Sequence, residues 1–163
     1  MNSQFIIILI STLIPFYANS QTFPINQETG KITFEEVVHH NESSASDLYI
    51  QAFKFCTSKS AAGSITKSDD FIILEVMHTT FEYLGKDMIV QFHLDMRFKE
   101  GRYKYVLSEF IIDTNGGGKF NLDNGVPSYM IGKKEMPKRA HLSITNFIAS
   151  LKQSMSLNQN SDW

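Results

Sequence analysis

Lys86 to Asp113 reads KDMIVQFHLDMRFKEGRYKYVLSEFIID, and its alternation decides the fold. Met88, Val90, Phe92, Leu94, Met96 and Phe98 recur at every second position, with Gln91, His93, Asp95 and Arg97 between them. Successive side chains of a strand point to opposite faces, so this is a strand with one buried and one wet face. Glu100-Gly101 then reads as a two-residue turn. It sets Phe98 opposite Tyr103, Met96 opposite Tyr105, Leu94 opposite Leu107 and Val90 opposite Ile111. A slip of one residue would turn Lys104 and Ser108 toward the core, so the pattern itself fixes the register.

Upstream, Phe71 to Tyr83 is a further β-rich run, joined through a short turn carrying Gly85, and an antiparallel meander is expected. Lys31 to His39 reads as an earlier strand, after an extended lead-in that turns at Glu28-Thr29-Gly30. The break from Asn41 to Ser46 ends in capping residues. Ser46 is the expected N-cap, Asp47 adds negative charge to the first turn, and Leu48, Ala52, Phe55 and Cys56 follow at helical spacing. Ser58 to Asp70 is polar, with room for a short strand around Ile65. Downstream, Asp113 to Arg139 reads as a long irregular loop containing Gly116-Gly117-Gly118, Pro127 and Pro137. Leu142 to Met155 then forms a helix with Ile144, Ile148, Leu151 and Met155 on one stripe. The expected architecture is an α+β fold in the order strand, helix, three or four antiparallel strands, helix. Laying both helices across the one apolar face of the sheet buries both stripes in two layers.

The chain has 163 residues, 42% hydrophobic, 20% charged and 12% aromatic, with a formal net charge of -2. That suffices for one domain with a real core. It lacks the overall basic footprint of a nucleic-acid binder, and the overall basic excess that would hold a chain on anionic lipid. A single cysteine excludes an internal disulfide. Phe5 to Phe16, FIIILISTLIPF, is too short for a span of roughly 20 residues but suits the apolar region of a secretory signal. Ala18-Asn19-Ser20 supplies the small residues of a cleavage site, which places cleavage between Ser20 and Gln21. No Lys or Arg precedes the apolar run, and an uncleaved anchor or a buried first strand are the other readings. The expected organisation is a signal peptide at 1–20, a single domain at 21–158 and a frayed tail at 159–163, with no membrane span after cleavage.

The candidates for chemistry are few. His39 and His40 are neighbours and point to opposite faces, while His78 and His93 share the wet face with too few ligands for zinc. Glu75 and Glu109 both fall on the otherwise apolar face in the register above, where desolvation would raise a carboxyl toward general-acid use. They sit on strands flanking the central one, roughly 10 Å apart by strand spacing. Gly116-Gly117-Gly118-Lys119 lacks the spacing of a phosphate loop. Cys56 reads as core. Lys133, Lys134, Lys138 and Arg139 read as solvated charge flanking a helix, with contact to an anionic partner as the alternative. The loop from Asp113 to Arg139 is expected to be the most mobile internal segment, yet it carries Phe120, Leu122, Val126, Tyr129, Met130 and Ile131. Those side chains either pack beneath it or face a partner. Phe120, Leu122, Tyr129 and Met130 mark the candidate ligand surface.

Phe23-Pro24-Ile25, Glu28-Thr29-Gly30-Lys31-Ile32-Thr33-Phe34 and Glu36-Val37-Val38 resemble the opening of the domain-of-unknown-function 4468 family. Leu48-Tyr49 with Ala52 is similar to that family's first helix, and Gly101-Arg102-Tyr103-Lys104-Tyr105 to its last hairpin. The resemblance runs through the chain after Ser20. It implies export in Gram-negative bacteria, to the periplasm or cell envelope, and a TATA-binding-protein-like fold: a curved antiparallel sheet with helices on one side. It implies no activity, no catalytic residue and no DNA binding. The sequence therefore reads as a non-enzymatic binding module without a cofactor, for a small apolar molecule or an envelope protein. A hydrolase using Glu75 or Glu109 is the alternative.

Overall fold

The computed structural model describes residues 23–59, 71–131 and 133–156. The signal peptide, the strand expected around Ile65 and the frayed tail lie outside them. In chain order the elements are β1 (Phe34–His39), α1 (Ala45–Lys59), β2 (Ile72–Tyr83), β3 (Lys86–Lys99), β4 (Arg102–Asp113), β5 (Lys119–Asn121), one 3-10 turn (Leu122–Asn124) and α2 (Glu135–Ser156). The strands form one curved, unclosed antiparallel sheet in the order β1-β4-β3-β2, and β5 also pairs with β4. The α+β architecture matches the expectation, with β5 as an added strand.

The β3–β4 hairpin has the expected register near its turn: Phe98 faces Tyr103, Met96 faces Tyr105 and Leu94 faces Leu107. It then shifts. His93 pairs with Ser108 but Gln91 pairs with Ile111, so Glu109 and Phe110 together oppose Phe92. This is a β-bulge, and Glu109 takes a left-handed conformation at φ 57° to make it. Val90 consequently faces Ile112, not Ile111. Phe110 and Ile112 are fully buried, and Phe110 packs 5.8 Å from the ring of Phe92. Phe92 in turn meets Phe147 of α2 edge to face at 4.9 Å. An aromatic ring in such a cluster contributes about 3–5 kcal/mol against truncation to alanine.

Both helices pack on this face. Leu48, Ala52 and Cys56 of α1 and Ile144, Leu151 and Met155 of α2 are fully buried with it. The cap of α1 is Ser44 and not Ser46: its Oγ accepts from the Asp47 amide at 3.1 Å and donates to the Asp47 carboxylate at 2.7 Å. An acid three residues after the cap binds it reciprocally, and Ser46 is already inside the first turn. Helix α2 starts seven residues before the expected Leu142, because Pro137 stands in its first turn, where a missing N–H costs nothing. The N-terminal half of α2 is stapled to β2, one edge of the sheet. Ser143 donates to the Thr80 carbonyl at 2.8 Å and Arg139 to the Glu82 carbonyl at 3.2 Å. Two backbone acceptors of the sheet edge are thereby covered.

The β2–β3 turn is Leu84-Gly85, with Tyr83 paired to Lys86. Both turn residues have positive φ, 52° and 72°, the conformation of a type I′ turn. Gly85 adopts it freely, whereas a leucine there costs about 1 kcal/mol, and its side chain is 68% exposed. Replacement of Leu84 by Asn, the residue this turn favours, is expected to stabilise the fold by about 1 kcal/mol. Thermal unfolding checks this. A lower midpoint would mean that the leucine side chain makes packing contacts worth more than the strain it bears.

Candidate functional site

The segment expected as one mobile loop divides in two. Its first half is tied to the core. Phe120 is half-buried on β5, and Leu122 is 4% exposed. The Asp123 carboxylate accepts from the Ile32 amide at 2.8 Å, and the Asn121 side chain accepts from the Asp123 amide at 2.7 Å. Thr114 closes the glycine run with both its amide and its hydroxyl on the Gly118 carbonyl. A side chain at Gly117 would meet the Thr114 Oγ1 at 2.5 Å, which accounts for glycine there. Phe120 and Leu122 thus pack as a satellite of the core, the first of the two arrangements the sequence allows.

The second half behaves differently. Met130 packs against the core, but Tyr129 and Ile131 are 76% and 78% exposed. The Tyr83 hydroxyl donates to the Ile131 carbonyl at 2.8 Å, which brings this loop to the tip of the β2–β3 hairpin. Leu84 is the next residue along that hairpin. Three large apolar side chains from two loops therefore stand out at one end of the sheet. The sequence reading marked Tyr129 but missed Leu84. Its signal was a leucine directly before glycine in a two-residue turn, where asparagine is the favoured residue.

Charge is sorted around this end. Strand alternation places Lys86 on the helix-bearing side with Tyr83, its cross-strand partner, while Glu82 and Asp87 pair on the outer face. Lys133 and Lys134 follow Ile131 on the loop, and Lys138 is bound to Glu135 at 2.7 Å. Among the described residues, Lys86, Lys133 and Lys134 join no ion pair.

A second polar group lies across the molecule. Glu36 of β1 accepts from the Tyr105 hydroxyl at 2.8 Å and from the Lys152 ammonium, which ties the end of α2 to the far edge of the sheet. Those two donors, Lys152 foremost, hold the Glu36 carboxyl below its usual range. Burial and the Glu36 charge push the neighbouring Tyr103 hydroxyl up to about 12. An open cavity of about 370 Å³ borders the group, lined in part by Pro24, Ile25, Phe34, Glu36 and Tyr105. The carboxylate is already matched by its two donors, so its chemistry here is that of a clamp.

The carboxylates of the hydrolase reading do not meet. Glu75 lies in the inward row of β2 between the fully buried Ile73 and Met77. The bulge rotates Glu109 to the wet face, where it is 54% exposed and lies 3.6 Å from His93. The two point to opposite sides of the sheet, so the expectation that Glu109 faces the core is corrected by one inserted residue. Cys56 is fully buried in α1, and burial, reinforced by the Glu75 charge, pushes its thiol up to about 12. Among the described residues, no group of three His, Cys, Asp or Glu side chains is placed to hold a metal ion, and no helix is long and apolar enough to cross a membrane.

Two outcomes follow from this geometry. A thiol held protonated in the core should not react with Ellman's reagent in the native protein and should react stoichiometrically in denaturant. Rapid native labelling would show that α1 opens. The Glu36 clamp should make stability depend on acid. A depressed carboxyl contributes stability above its unfolded value near 4.5 and loses it as pH falls through the folded value. Thermal midpoints should therefore fall below pH 4.5 less steeply in Glu36→Gln than in the parent. Solvent screening holds the difference under about 1 kcal/mol. Parallel curves would remove Glu36 from the acid response.

No family model matches the chain, and no curated protein does either. Solved structures do. A TBP-like protein from Parabacteroides distasonis superposes with a TM-score of 0.70 at 9% identity, covering 82% of this chain and 97% of its own. A DUF4468 family protein from Bacteroides ovatus superposes with a TM-score of 0.64 at 11% identity, covering 85% of this chain and 94% of its own. The chain thus has the TATA-binding-protein-like fold that its opening and hairpin motifs imply, shared with a protein of the domain-of-unknown-function 4468 family.

Proposed function

We propose that this chain is an exported, non-enzymatic interaction domain of the domain-of-unknown-function 4468 type, acting at the cell envelope through the Leu84, Tyr129 and Ile131 end of its sheet. One observation carries the reading: Leu84, Tyr129 and Ile131, 68%, 76% and 78% exposed, stand out from two loops that the Tyr83 hydroxyl joins through its bond to the Ile131 carbonyl. Exposed apolar clusters rimmed by polar residues mark interaction surfaces. Export rests on the Phe5 to Phe16 run and the small residues before Gln21.

A photo-crosslinking residue at position 131 tests the surface in the producing cell, with one at Lys99, at the opposite end of β3, as control. A specific adduct at 131 and none at 99 is the expected result. Equal labelling at both positions, or neither a protein nor a lipid adduct at 131, sinks the proposed surface. Intact mass from a cell-envelope fraction tests export. A chain beginning at Gln21 agrees with it, and one retaining Met1 speaks against cleavage.

A further inference from the structure

The same end has a charge pattern that points to its partner. We propose that it docks on an anionic lipid surface, with Leu84, Tyr129 and Ile131 entering the headgroup boundary and Lys86, Lys133 and Lys134 meeting lipid phosphates. The inference rests on the reading of this end as the interaction surface and names what it touches.

Three features favour lipid over protein. First, the apolar side chains are carried on the tips of a hairpin and a loop, joined by the Tyr83 bond to the Ile131 carbonyl. They form a small projection, whereas a stable protein interface needs roughly 800 Å² from each partner. Shallow insertion of a few apolar side chains, backed by basic residues, is how a protein lies on a bilayer surface. Second, charge is segregated by face. Lys86 stands on the helix-bearing side with the loop, while the neighbouring acids Glu82 and Asp87 are turned to the outer face. Glu135, the acid nearest in sequence to Lys134, is occupied by Lys138. A net charge of -2 for the whole chain conceals this local excess. Third, Leu84 accepts both left-handed strain and 68% exposure at a position where asparagine would cost neither. A leucine held in that way gains from an apolar phase that the isolated fold does not provide.

The test places a reporter at the tip of the full chain, so that the apolar N-terminal run is common to every sample. Ile131→Trp in a Trp163→Phe background makes that residue the sole tryptophan. Leu84→Trp in the same background is the second reporter should the first fail to fold, as judged by circular dichroism. Vesicles are phosphatidylcholine alone, or equal parts phosphatidylcholine and phosphatidylglycerol, each with and without brominated acyl chains. The expected result is a blue shift and bromine quenching with anionic vesicles, reversed by high salt. Changing Lys86, Lys133 and Lys134 to Gln should raise the lipid concentration for half-quenching about a hundredfold. Water-like emission with anionic vesicles overturns the proposal, as does equal quenching in neutral vesicles. If the tip stays dark to lipid while the cross-linker at 131 captures a protein, the interaction surface stands and the lipid assignment falls. If both fail, the surface falls as well.

Discussion

Without the extra residue in β4, Phe110 and Ile112 would lie on the outer face of the sheet, and Glu109 and Ile111 would lie beneath the helices. The step opposite Phe92 prevents this. It keeps the apolar row of β4 in phase with that of β3 past the point where β1 ends and β5 begins. Phe110 then meets Phe34 of β1 at 5.7 Å as well as Phe92, and Phe92 meets Phe147 of α2. A single left-handed residue thus links the edge strand, the central hairpin and the long helix through one aromatic chain. The strain at Glu109 is offset by the burial of two large side chains, a term several times larger.

That step explains which parts of the fold were legible. Alternation is unambiguous from Val90 to Phe98, with Ile89 before it the one exception, and the tyrosines of β4 answer it, so three cross-strand pairs could be read directly. Phe110, Ile111 and Ile112 are three apolar residues in a row and carry no parity, so a shift among them leaves no trace in hydrophobicity. The trace lay elsewhere. A glutamate falling on an apolar face is either a site or a sign that the register has moved, and Glu109 was the second. The helix ends were misread for a similar reason. Ser44 and Ser46 are chemically equal caps, and only the distance to Asp47 separates them. Pro137 looks like a terminator unless the first turn is already known to contain it.

The loop shows a different limit. Phe120, Leu122, Tyr129, Met130 and Ile131 are alike by composition, yet the first two are core and two of the others are surface. What divides them is hydrogen bonding to distant parts of the chain. Asp123 accepts from Ile32, ninety-one residues away, and β5 adds to the free end of β4. Local pattern cannot anticipate a partner so remote. Beyond Asn124 such bonds thin out to the Tyr83 hydroxyl on Ile131, which positions the loop tip without burying it.

The two ends of α2 therefore have opposite characters. Toward its C-terminus, Lys152 and Tyr105 converge on Glu36, and three polar groups are consumed by one another. Toward its N-terminus, Ser143 and Arg139 satisfy sheet carbonyls, while the lysines just before the helix satisfy nothing within the described residues. A fold under selection for stability alone would relax the second end, because an asparagine at 84 and polar residues at 129 and 131 would cost the core nothing. Exposure of apolar surface, backbone strain and unpaired cations at the same end are each tolerable singly. At this end they meet on two loops held together by one tyrosine, whereas at the other end the left-handed, exposed Phe71 packs edge-on against Tyr49 at 5.8 Å. The fold gains nothing from the leucine at 84, so its strain and exposure are the costs that the proposed interaction would have to offset.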